Sequence, residues 1–127
     1  MHPGRGCKHR DMSDPVVRET LLVQALPTKS VSSVEVRRIT LLPNVQGGAH
    51  VHNGPVFGVI ELGSVIFQVG LQPPQTLAAG DVFYEPAVDT ITRWDATDEG
   101  VTFIGYFLLS DNETPELTAI ARPQPHL

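Results

Sequence analysis

His50 and His52 stand one residue apart in the stretch Gly47-Gly48-Ala49-His50-Val51-His52-Asn53-Gly54-Pro55. On a β-strand, residues i and i+2 point to the same face, so this spacing sets two imidazoles side by side, the arrangement a divalent metal ion asks of its first two ligands. Without a metal the same pair can act as acid, base or hydrogen-bond donor, because imidazole titrates near neutrality. His-x-His also suits a solvated strand face, and the spacing alone does not choose between these readings. His2, His9 and His126 lie near the chain ends, where a side chain is ordinarily solvated. Cys7 is the only cysteine, so an intrachain disulfide is excluded, in keeping with a reducing compartment.

The elements that must position the pair read as short strands. Eleven Gly and eleven Pro interrupt the 127-residue chain before any long helical period develops. Val34-Glu35-Val36-Arg37 alternates, and Ile39-Thr40-Leu41 alternates out of phase with it, which predicts a bulge at Arg37-Arg38. Val56 to Glu61 and Ser64 to Val69 read as a hairpin around Leu62-Gly63. Pro73-Pro74 marks a connection, Ala79-Gly80-Asp81 a tight turn, and Val82-Phe83-Tyr84-Glu85 a strand stopped by Pro86. Two further strands are expected, from Thr90 to Trp94 and from Val101 to Leu109. Thr114-Pro115-Glu116-Leu117 suits either a helical turn or an extended edge strand.

Such a series of strands, with little room for crossover helices, predicts an all-β, antiparallel sandwich or barrel. The expected organisation is a flexible N-terminal extension (1–15), one barrel domain (16–112), and a C-terminal tail (113–127) free to pack on the barrel or on a partner subunit. Met12 could equally be the true start, since the domain pattern begins near Val16.

At 41% apolar and 18% charged residues the chain is ordinary for a globular protein and too apolar for a disordered one. A net charge of -5, with nine Lys and Arg scattered along the chain, offers no basic stripe for phosphates, so nucleic acid and anionic membrane are not expected as partners. The longest apolar run, Val101 to Leu109, falls far short of the roughly 20 residues of a spanning helix. The basic N-terminus is not followed by the apolar region of a secretory signal, which makes the cytoplasm the expected location.

The segment from Gly47 to Gly63 resembles the first motif of the cupin superfamily: a glycine, His-x-His, three or four residues, a Glu, about six residues, and a Gly. Ala79-Gly80-Asp81-Val82-Phe83-Tyr84-Glu85-Pro86 is similar to the second. The resemblance covers about residues 16 to 112. It implies a double-stranded β-helix, the jelly-roll barrel of small single-domain cupins, with a site inside that uses the two His and the Glu of the first motif plus one His of the second.

Two of those four positions depart from the pattern. The Glu position falls on Val56 or Phe57, both apolar, and the second-motif His falls on Thr92, a poor ligand for a divalent ion. Glu85 or Asp89 could supply a carboxylate if the strand turns it inward. His50, His52 and Glu85 therefore make an incomplete set that could hold a divalent ion (Zn, Fe, Mn or Ni), the alternative being no cofactor and a metal-free histidine pair. Val56, Phe57, Thr92 and Arg38 are the expected substrate contacts, with Arg37 or Arg38 reaching an anionic ligand and Trp94 serving in packing.

Three functions follow from this reading. The first is a small-molecule enzyme of the cupin kind with His50 and His52 as catalytic residues. Proton transfer (isomerase, epimerase or cyclase-like) is preferred over oxygenation, which depends on a redox metal in a nearly complete ligand set. The second is a barrel that binds a small ligand without turning it over. The third is a structural homodimer, paired through the apolar Val101 to Ile104 and Leu108-Leu109 stretches; dimerisation is compatible with either of the other two.

Overall fold

The computed structural model describes residues 15–27 and 30–120. Seven strands form one antiparallel sheet: β1 (Ser33–Leu41), β2 (His50–His52), β3 (Val56–Val69), β4 (Gln75–Ala78), β5 (Val82–Glu85), β6 (Ile91–Leu109) and β7 (Leu117–Ala119). The ladder runs β4-β3-β6-β2-β7, with β1 added on β6 and β5 on β3.

The backbone of the barrel is the pair β3 and β6, which run antiparallel over almost their full lengths. Val56 to Gly63 pairs with Phe107 to Val101, and Val65 to Val69 pairs with Ala96 to Ile91, with register shifts around Leu62 and Gly63. This overturns the predicted hairpin, since the chain passes through Leu62-Gly63 and continues as one strand. A two-residue type I′ turn would need positive φ at both positions, and only Gly63 has it, at 74°. Gly100, at φ 69°, lies against it, and a Cβ on Gly63 would overlap the Gly100 carbonyl. The two glycines let both strands bend together, which bends the sheet without ending either strand. For the same reason the two strands expected at 90–94 and 101–109 are a single one, β6.

The bulge expected at Arg37-Arg38 is absent, because β1 pairs with β6 in unbroken register from Ser33↔Leu109 to Leu41↔Val101. Arg37, Ile39 and Leu41 therefore share the inner face, and Val34 and Val36 point outward and are half exposed. β6 is paired on both sides, so its Val101 to Leu109 stretch is not an edge available for sheet extension; Val101, Phe103 and Leu109 are buried in the core. Past residue 112 the chain returns to the barrel as the edge strand β7, with no helical turn at 114–117.

The core fills one end of the barrel. Phe67, Phe83, Trp94 and Phe103 meet in edge-on and tilted contacts with ring centroids between 4.9 and 6.2 Å apart. Burying one such ring stabilises by about 1.5–3 kcal/mol, and each edge-to-face pair adds about 0.5–1.5. Gly58 makes the layer possible: it lies across from Phe83, and a Cβ there would overlap the ring and come within 2.5 Å of the Ile104 carbonyl oxygen. Filling one end with rings leaves the other end open as a cavity. No helix of the described residues is long and apolar enough to cross a membrane.

Candidate metal centre

β2 is only three residues long, yet it is held on both sides. His50 pairs with Ile91 of β6, and His50, Val51 and His52 pair with Ala119, Thr118 and Leu117 of β7. Strand alternation then buries both imidazoles, with His50 3% and His52 7% exposed, while Val51 faces the other way. Their ring centroids are 4.8 Å apart and nearly perpendicular.

The third group is Glu85, 4% exposed, at the end of β5. One cross-strand row explains its orientation: Glu35, Phe107, Val56 and Glu85 lie in register across β1, β6, β3 and β5. Val56 is one of the two positions on which the first motif's Glu falls, and Glu85 lies directly opposite it on the neighbouring strand. Oε2 of Glu85 meets Nε2 of His52 and lies 3.8 Å from Nε2 of His50. The three potential ligand atoms all fall within 4.8 Å of one another. The loop after Pro86 fastens this strand to β2, because the Val88 amide donates to the His52 carbonyl oxygen at 3.1 Å.

Nδ1 of His50 lies 2.9 Å from the Gly48 carbonyl oxygen, which can only accept, so Nδ1 carries a proton and Nε2 faces the centre, where it offers a lone pair to an ion or, with the ring doubly protonated, a proton to Glu85. Burial alone would pull His50 below the usual imidazole range, but attraction to Glu85 and the Gly48 carbonyl outweigh it and raise it. Burial likewise pushes Glu85 up, and its contacts with His50 and His52 bring it below the usual carboxylate range. A buried charge of this kind persists only when paired.

Two imidazoles and one carboxylate fit a divalent ion. The set matches the His₂Glu donors of catalytic zinc and the two-His-one-carboxylate face of non-haem iron, and in both an open coordination position remains for water or substrate.

The centre lies in a cavity of about 250 Å³, walled by Ile39, Leu41, Val56, Trp94, Phe103 and Phe107, with Arg37, Pro115, Glu116 and Leu117 also lining it. Of the residues expected at the site, His50, His52, Glu85 and Val56 are brought together. Phe57 is on the opposite face of β3, stacked at 5.0 Å on Tyr84. Thr92 donates to the Gly70 carbonyl oxygen at 2.7 Å and does not line the cavity. Arg38 points to solvent and pairs with Glu61 at 2.9 Å, and Asp89 is exposed. Strand parity accounts for the misplaced Phe57 and Arg38, each one position from an inward residue.

Trp94, expected in packing rather than as a ligand platform, both packs and lines the cavity; nothing in the sequence singles out Phe107 or the β7 residues. Arg37 was one of two alternatives, and unbroken parity along β1 would have chosen it.

No protein-family model matches the sequence, and no curated protein matches it. Solved structures do. The DMSP lyase DddQ from Ruegeria pomeroyi DSS-3 superposes with a TM-score of 0.59 at 17% identity, over 66% of this chain and 42% of that one. A cupin-like protein from Thermotoga maritima gives 0.57 at 22%, over 68% and 65%. Oxalate decarboxylase from Bacillus subtilis gives 0.55 at 20%, over 62% of this chain and 22% of its own. The chain thus spans less than two thirds of the length of each. At these identities the likeness is one of fold.

Proposed function

Since this chain folds as a cupin barrel, we propose that it is a divalent-metal-dependent enzyme that moves a proton on a small organic molecule held beside His50, His52 and Glu85. The convergence of three ligand atoms within 4.8 Å, in a buried pocket, carries this reading. His50 Nε2, His52 Nε2 and Glu85 Oε2 would hold the ion. When bound, such an ion acts as a Lewis acid on a substrate oxygen and lowers the pKa of an adjacent proton. The chain supplies the rest. Apolar walls from Ile39, Leu41, Phe103 and Phe107 exclude water and strengthen every charge interaction inside. The Gly48 carbonyl fixes His50 in one tautomer, and Val88 holds β5 against β2. Where no ion is held, the same groups still form an acid–base set: Glu85 accepts a proton on its carboxylate and His50 donates from Nε2.

The test is exchange of substrate C–H for deuterium in D₂O, followed by NMR over a panel of small hydroxy- and keto-acids with zinc- or manganese-loaded protein. Incorporation that vanishes in His52→Ala is expected, whereas equal incorporation in that variant would overturn the assignment. Oxygenation is a second reading, favoured specifically by the two-His-one-carboxylate set. Substrate-dependent oxygen uptake by the iron(II)-loaded protein, without deuterium exchange, would select it.

A further inference from the structure

We propose that Arg37 is the specificity residue of the cavity and that the molecule taken up is a small organic anion: an apolar body with a single carboxylate, held by the guanidinium at the mouth. The proposal rests on the reading that this cavity is the substrate site. Three observations carry it.

The first is position. Among the described residues Arg37 is the one lysine or arginine lining the cavity, and its Cζ stands 5.4 Å from the centroid of Phe107, whose ring lies 6.0 Å from that of His52. A ligand lying along Phe107 therefore has the guanidinium at one end and the imidazoles at the other.

The second is availability. Arg37 is paired with Glu35 at 2.5 Å, but both side chains are more than 40% exposed. Such an exposed pair contributes little stability, so an incoming carboxylate can replace it and gain the bidentate geometry that guanidinium favours. Glu116, at the same mouth, is exposed and its field is screened by water.

The third is the character of the remaining wall, which is apolar except for the centre itself and one buried donor. Trp94 is part of this wall, and among the described residues its Nε1–H has no acceptor. The volume of about 250 Å³ lies below the usual range for drug-sized ligands and limits the body to a few carbons.

Trp94 is the only tryptophan of the chain, so its fluorescence reports occupancy directly. The probes are hexanoate and 1-hexanol, titrated into the protein as purified and into the same protein loaded with zinc. Saturable quenching or shift with hexanoate is expected, at least about tenfold tighter than with hexanol. Arg37→Gln should remove that preference, Arg37→Lys should restore part of it, and Arg38→Gln, outside the cavity, should leave it intact. Thermal melting of each variant checks folding, and the half-exposed Arg37 should tolerate substitution. Equal binding of hexanoate and hexanol, or a preference that survives Arg37→Gln, overturns the proposal. Hexanoate binding that needs zinc and ignores Arg37 also overturns it while leaving the metal assignment standing.

Discussion

Nε2 of His52 is in hydrogen-bond contact with Oε2 of Glu85, although β2 and β5 share no ladder: β2 lies between β6 and β7, and β5 is attached to β3. The side chains meet inside the barrel, beside the Val88 amide that donates to the His52 carbonyl oxygen, so a perturbation of either side chain reports on the site rather than on strand pairing.

Glu85→Gln keeps the shape of the side chain and removes its charge. Replacing even an outer partner of a metal ligand costs about 10–100-fold in affinity, and loss of a ligand should cost at least that. Calorimetric titration with zinc is the measurement, and unchanged affinity would remove Glu85 from the site.

The pH dependence should reverse on metal loading. In the metal-free protein the lowered Glu85 contributes stability that is full above the ordinary carboxylate value, about 4.3, and is lost as pH falls through its depressed value. The raised His50 contributes stability that is full below about 6.5 and is lost as pH rises through its elevated value. Melting temperature without metal should therefore fall as pH rises above the ordinary imidazole value of about 6.5. With zinc it should rise over the same interval, because the ion competes with the His50 proton. Parallel profiles in the two conditions would contradict the site.

Gly58→Ala should destabilise by about 1–3 kcal/mol in urea unfolding, since the added Cβ overlaps the Phe83 ring and the Ile104 carbonyl. Gly105→Ala, whose Cβ meets only the edge of Phe107 at 3.1 Å, should cost less. The reverse order would argue against the packing of the aromatic layer.

Val88 has φ 59°, a left-handed conformation that a β-branched residue adopts only under strain. Val88→Asn should raise stability by about 1 kcal/mol and keep the hydrogen bond from its backbone N–H to the His52 carbonyl oxygen, because Asn tolerates this region. A lower melting temperature for this variant would mean that the loop is not strained as described.

Much of the site was legible from strand parity and motif. His50 and His52 at i and i+2, and Glu85 at the end of a strand stopped by Pro86, required only local alternation. What escaped the sequence was non-local. The bend at Gly63 and Gly100 joins what read as separate strands, because two glycines distant in the chain meet face to face. On β1 the apolar Val34 and Val36 point outward while the charged Glu35 and Arg37 lie on the inner face. Hydrophobicity therefore indicated a phase change where the backbone has none, and Arg38 was preferred to Arg37. Thr92 was placed by ungapped alignment, and the hydrogen bond that holds it to Gly70 could not be read from the chain.

The central claim is that His50, His52 and Glu85 hold one divalent ion. Elemental analysis of the protein, prepared without a histidine tag and dialysed after exposure to zinc or manganese at neutral pH, tests it most directly. One ion per chain is predicted, with none retained by the His50→Ala/His52→Ala double variant. No bound ion in the unaltered protein, or equal content in the double variant, would contradict it.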